Sequence, residues 1–117
     1  MNIDWYICQA TTEKQAILSQ LTHELIIYTL PNFLVRRKYK IPFYAYRKDL
    51  CYMNFHRKHP YISFLQGHSM QDSTVLEKTT KSQYAKYYIR EEKDIYASCF
   101  AEFIMEAITI QDQLFKK

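Results

Sequence analysis

Glycine is almost absent from this chain: Gly67 is the only one among 117 residues. Loops that cradle phosphate need several glycines to bring backbone amides against the ligand, so neither a P-loop nor a dinucleotide-binding turn can be built here. A GxSxG nucleophile elbow is excluded on the same ground. Cysteine is scarce as well. Cys8, Cys51 and Cys99 are odd in number, lie far apart and match no CxxC or zinc-ribbon spacing. That usage predicts reduced thiols and a cytoplasmic location. Long apolar runs are missing too. The longest plain one, Leu25 to Tyr28, falls far short of the roughly 20 residues a membrane span needs, so no membrane partner is expected. The opening MNIDWYICQA places Asp4 where a secretory leader would carry positive charge, and no leader is predicted.

What the chain does have is apolar and aromatic content. Hydrophobic residues make up 48% and aromatics 16%, enough to bury a core within one domain spanning residues 1–117. The net charge of +4 suits weak attraction to anions. It is lower and less clustered than in most nucleic-acid-binding domains, and no specific nucleic-acid partner is predicted.

Thr12-Glu13-Lys14-Gln15 reads as a capping box, followed at helical spacing by Ile17, Leu18, Leu21, Leu25 and Tyr28. Leu30-Pro31-Asn32 ends this helix. The middle of the chain alternates in short aromatic and β-branched segments: 33–41, 43–47, 50–55, 61–66 and 84–89. Pro42 separates the first two, Arg47-Lys48-Asp49 and His56 to Pro60 are turns, and Ser69 to Ser82 reads as a polar loop. Glu91, Glu92 and Asp94 open a closing helix carrying Ile95, Cys99, Phe103, Ala107 and Leu114, with Lys116 and Lys117 suited to its end. Short turns imply antiparallel pairing. The expected fold is an α+β two-layer sandwich: an antiparallel five-stranded sheet with N- and C-terminal helices packed on one face, in the order α-β-β-β-β-β-α.

Alternation sorts the strand residues onto two faces. Cys51, Met53, Phe55, Ile62, Phe64 and Ile89 form an apolar set expected beneath the helices. Tyr44, Tyr46, Tyr52, Asn54, Tyr61, Ser63, Tyr84, Lys86 and Tyr88 form the other. Tyrosine joins a large apolar body to a polar tip, which suits a half-wet binding surface. Three readings of this face stand together: cross-strand tyrosine pairing and nothing more, a homodimer interface, or a ligand-binding hollow.

Other constellations are weaker. His56 and His59 flank Arg57-Lys58, and two cations between imidazoles repel a metal ion. The stretch reads as a solvated basic turn, with anion capture as its functional alternative. Arg36-Arg37-Lys38-Tyr39-Lys40 is a basic strand with an interleaved aromatic. Glu102 and Glu106, four apart on one helix, read as exposed rather than as paired acid–base groups. Cys51 alternates into the core and reads as inert.

The residues Tyr39-Lys40-Ile41-Pro42-Phe43-Tyr44-Ala45-Tyr46 with Leu50-Cys51-Tyr52-Met53-Asn54 carry a resemblance, supported by Phe64-Leu65-Gln66-Gly67-His68 and Lys93-Asp94-Ile95. Over roughly residues 12 to 112 the chain resembles the YdhG-like (frataxin-like) bacterial family, in its Bacteroidetes-type form. The resemblance implies a two-layer α+β fold. It also implies iron binding of the kind described for frataxin-like chaperones, which rely on an acidic ridge along the first helix. Here that helix offers Glu13 and Glu24, the first strand is basic, and the acidic cluster is Glu91, Glu92 and Asp94.

The reading that results is a small, non-enzymatic binding domain without a cofactor. Its tyrosine-rich face, with Tyr44, Tyr46, Tyr52, Tyr61 and Tyr88 supplying contact area, Asn54, Lys86 and His68 at its margin, and Lys86 and His68 orienting an anion, is expected to meet a small anionic ligand or a protein partner. The alternatives are an iron-binding chaperone and a homodimeric structural domain.

Overall fold

A computed structural model describes residues 2–30 and 32–115. Pro31, proposed as the helix stop, and Lys116 and Lys117 lie outside the described residues. The element order is α1 (Asp4–Ile7), α2 (Glu13–Thr29), β1 (Leu34–Lys38), β2 (Ile41–Ala45), β3 (Asp49–His56), β4 (His59–Phe64), a 3-10 turn (Gly67–Ser69), β5 (Glu77–Thr79), β6 (Ser82–Tyr88), α3 (Glu92–Tyr96) and α4 (Ser98–Leu114). The strands form one antiparallel sheet in the order β1-β2-β3-β4-β6-β5. The α+β architecture is therefore as expected, with a sixth strand added.

The sixth strand is β5, inside the stretch read as a polar loop. Glu77, Lys78 and Thr79 carry no apolar alternation. They become a strand because β6 offers them an edge to pair with. A second difference concerns the first hairpin. The chain turns at Tyr39 and Lys40, not at Pro42. Pro42 pairs with Arg37 of β1, one residue short of where the pairing of β2 with β3 begins at Phe43.

Thr12 caps α2 as read, its hydroxyl accepting from Gln15 N at 3.1 Å. The buried stripe of α2 is not the one the spacing suggested. Ile17 and Tyr28 are exposed, Tyr28 by 89%, while Gln15, Leu18, Ser19, Thr22, His23 and Ile26 point inward. Burial of the polar members is tolerated where they find partners. Thr22 donates to Leu18 O at 2.7 Å, and His23 Nδ1 shares a 2.7 Å hydrogen bond with the Tyr44 hydroxyl. The closing helix is broken at Ala97, whose extended backbone separates α3 from α4.

The apolar strand set lies where alternation put it. Cys51, Met53, Ile62, Phe64 and Ile89 are fully buried against Ile26, Phe100, Phe103, Ile104 and Ala107. Phe55, half-buried, stacks on Tyr6 at 4.5 Å. Both long helices pack on this face, while Tyr52, Asn54, Tyr84, Lys86 and Tyr88 on the opposite face stay partly exposed.

Candidate functional site on the open sheet face

Register decides which side chains share the open face. Phe43 stands opposite Tyr52, Tyr52 opposite Ser63, and Ser63 opposite Lys86. One rung along, Asn54 faces Tyr61 and Tyr61 faces Tyr88, while Glu77 faces Lys86 from β5. The result is a lattice of rings. Tyr52 lies 5.0 Å from Phe43, 6.3 Å from Tyr61 and 6.1 Å from Tyr84, the two tyrosine contacts being edge-to-face; Tyr61 lies 5.7 Å from Tyr88. Such contacts stabilise each ring by about 0.5–1.5 kcal/mol beyond its burial.

Two tyrosines expected here lie elsewhere. Tyr44 pairs across β2–β3 with Cys51 and is fully buried on the helix side. A register shift between Tyr44 and Ala45 then disturbs the alternation. Tyr46 reaches α4 instead, its hydroxyl donating to Asp112 Oδ1 at 3.0 Å. His68 is also apart from the tyrosines. It sits in the 3-10 turn, Nε2 donating to Thr79 O at 3.2 Å, and lines a separate depression with Gln66, Gln83 and Leu114. Tyr52, Asn54, Tyr61, Lys86 and Tyr88 are brought together as expected.

Between Tyr52 and β5 the face opens into a hollow of about 150 Å³, lined by Tyr52, Glu77, Thr79, Ser82, Tyr84 and Lys86. The Lys86 ammonium lies 5.0 Å above the Tyr61 ring. It takes no part in the ion pairs of the described residues, which are Lys14–Glu91, Lys38–Asp49, Arg47–Asp112 and Lys78–Asp72. Its cross-strand neighbour Glu77 instead accepts the Tyr88 hydroxyl at 2.7 Å. Burial, and then the Tyr52 hydroxyl, push the Tyr61 phenol up to about 12; burial and Glu77 push Tyr88 up to about 12. Both phenols are therefore neutral hydrogen-bonding groups at neutral pH. Ser63, at the centre of the lattice, is fully buried, and its Oγ has no hydrogen-bond partner among the described residues.

No family model matches the chain, and neither curated proteins nor solved structures give a match to it. Among the described residues, no group of three or more His, Cys, Asp or Glu is placed to share a metal ion, and no helix is long and apolar enough to cross a membrane. The acidic cluster of Glu91, Glu92 and Asp94 does not fit an iron site. The Asp94 carboxylate accepts from Arg90 N and Glu91 N, both at 2.9 Å, and Glu91 pairs with Lys14 at 3.1 Å. These carboxylates start a helix instead of converging on a cation.

Cys51 is inert by construction. Complete burial, with the nearby Asp49 adding, raises its thiol far above the ordinary range, so the nucleophilic thiolate does not form near neutrality.

Proposed function

We propose that this protein is a binding domain that holds a small anionic ligand with a flat apolar body on the open face of its sheet. The observation that carries the reading is Lys86. Its ammonium rests on the Tyr61 ring beside the hollow and forms no ion pair with the described carboxylates. An ammonium held over aromatic carbon, in a hollow walled in part by the Tyr52 and Tyr84 rings, gains more from a carboxylate than it would in open water; Glu77, which also lines the hollow, is engaged by the Tyr88 hydroxyl. Tyr52 and Tyr84 offer ring surface for the ligand's body, and Thr79 and Ser82 offer hydroxyls for its polar edge. The reading is of binding and not turnover, because neither histidine nor cysteine lines the hollow to activate those hydroxyls.

The test is an amide NMR titration with a panel of small aromatic carboxylates, beginning with benzoate. The expected result is saturable shifts confined to Tyr52, Thr79, Tyr84 and Lys86. In Lys86→Ala the affinity should fall about tenfold, the worth of one charge-assisted hydrogen bond. If no aromatic anion gives saturable shifts, or if Tyr52→Ala and Lys86→Ala bind as the parent does, the proposal is wrong.

A further inference from the structure

A second cluster lies at the turn end of the β3–β4 hairpin. His56 and His59 are the last cross-strand pair, and Arg57 and Lys58 make the exposed turn between them. β6 runs beside β4, and Ile89 N donates to Pro60 O at 2.9 Å as the chain leaves the sheet. That brings Tyr88 and Arg90 up against the two histidines. The Tyr88 ring is the hub, with His56 at 5.6 Å, His59 at 5.9 Å and Arg90 Cζ at 5.0 Å from its centre. The two imidazoles are 5.7 Å apart. His59 Nε2 is buried and has no hydrogen-bond partner among the described residues.

We infer that His56, His59 and Arg90, gathered round the Tyr88 ring, form a binding site for a phosphoryl dianion, separate from the hollow beside Lys86. Concentrating cations costs energy unless an anion answers them. The nearby carboxylates are already engaged: Glu77 takes the Tyr88 hydroxyl, Glu91 pairs with Lys14 of α2, and Asp94 accepts the backbone N–H groups of Arg90 and Glu91. The exposed guanidinium of Arg90 offers a planar fork that matches phosphate oxygens, and the two imidazoles add N–H donors from different strands. The turn is held ready. Arg57 sits at a φ of +56°, and its carbonyl is fixed by the buried Gln15 amide at 2.7 Å. A rigid cationic turn loses little entropy on binding.

Protonation follows from the same geometry. His59 is held below the usual histidine range by burial first, then by Arg90, His56, Lys14 and Arg57. The groups round it are His56 on β3, Arg57 in the turn, Tyr88 at the end of β6, Arg90 just beyond that strand, and Lys14 of α2 with its partner Glu91. A dianion placed among them reverses the local field. Binding then takes up a proton at His59.

The experiment is a titration of the full chain with inorganic phosphate, and separately with glycerol 3-phosphate, at constant ionic strength. Backbone amide and imidazole nitrogen spectra are followed. The expected result is saturable shifts at residues 56 to 59, 88 and 90, with phosphate raising the titration midpoint of the His59 ring. Arg90→Gln and His59→Gln should each bind about tenfold more weakly with unchanged amide spectra elsewhere, and Lys86→Ala should bind phosphate as the parent does. Tighter binding of glycerol 3-phosphate would place the phosphoryl group on an organic carrier; equal or weaker binding would assign the site to the free ion. Absence of saturation with both probes, or Arg90→Gln and His59→Gln binding like the parent, would overturn the inference. An unmoved His59 midpoint would overturn it equally. Because the control is Lys86→Ala, this site can fail while the tyrosine hollow stands, and the reverse.

Discussion

Substituting the lone glycine by alanine tests the packing of the whole sheet. Gly67 does not need its freedom of φ, since its backbone lies outside the left-handed region. It is needed because the 3-10 turn presses against β6. A Cβ built on Gly67 would meet Ala85 N at 2.2 Å, Ala85 Cβ at 2.5 Å and the Tyr84 carbonyl carbon at 2.6 Å. Ordinary contacts begin near about 3.5 Å, so the turn and β6 must separate by roughly an ångström. Two of the three atoms met are backbone, and β6 is pinned between β4 and β5. Relief by a rotamer change is therefore closed, and the cost should reach the upper end of overpacking, about 3 kcal/mol. At about 2.1 cal/mol/K per residue, a chain of this length loses about 4 °C in Tm per kcal/mol. Gly67→Ala should thus melt about 12 °C lower by circular dichroism. Tyr84 and Lys86 flank the displaced residue, so their amide resonances should shift as well. Ser69→Ala, an exposed change in the same turn, should stay within about 0.5 kcal/mol of the parent. Should Gly67→Ala melt within about 2 °C of the parent, the close approach of the turn to β6 would be refuted.

Two further outcomes follow from the hairpins. Tyr39 and Lys40 both adopt positive φ, at 55° and 64°, in a two-residue turn that ordinarily takes Asn-Gly. Replacing them by Asn and Gly should stabilise the protein by about 1–2 kcal/mol, read as a Tm higher by about 4–8 °C, and an unchanged Tm would contradict the strained turn. The Asp112 carboxyl is held below its ordinary range, first by its bond from Arg47 and then by the Tyr46 hydroxyl. A depressed carboxylate contributes stability above its unfolded pKa and loses it as pH falls through the folded value. Asp112→Asn should therefore flatten the acid side of the stability–pH curve between the ordinary aspartate range and the folded value; an identical acid limb in the variant would remove Asp112 from the account.

The central strands were legible because alternation there meets no interruption. Cys51 and Met53 alternate with Tyr52 and Asn54, Ile62 and Phe64 with Tyr61 and Ser63, and each set lies on the face its parity assigned. The phase of β2 relative to β3 was not legible. It depends on the register shift at Tyr44 and Ala45, which leaves no mark in composition, and so Tyr44 turns to the helix side and Tyr46 reaches α4. The buried stripe of α2 was hidden for another reason. Beside Leu18 and Ile26 it holds Gln15, Ser19, Thr22 and His23, residues that hydropathy assigns to water; Gln15, Thr22 and His23 find hydrogen-bond partners inside. The gathering of His56, His59 and Arg90 arises from the pairing of β4 with β6, a contact across the intervening β5 hairpin. In sequence, His56 to Pro60 reads as a basic turn with anion capture as its alternative, and nothing there points to Tyr88 or Arg90.

The scarcity of glycine has a structural counterpart in glutamine. Tight turns between strands usually rely on glycine or asparagine to reach positive φ at little cost. Here Tyr39, Lys40 and Arg57 reach it without a glycine, and each turn has a glutamine amide bonded to its backbone. Gln9 Nε2 donates to Lys40 O at 3.1 Å in the β1–β2 turn. In the β3–β4 turn, Gln15 Nε2 donates to Arg57 O at 2.7 Å. Gln111 serves the β2–β3 turn from α4: its Oε1 accepts from Arg47 N and Lys48 N at 3.0 and 3.1 Å, and its Nε2 donates to Asp49 O at 3.0 Å. Gln15 and Gln111 are essentially buried, so their amides are ordered before they meet the turn and lose little entropy in doing so. A side chain from a helix thus supplies what turn residues usually supply for themselves. The consequence for function is positional. The cationic tip between His56 and His59 is tied to α2, and so the charge it presents is fixed by the core instead of by the loop.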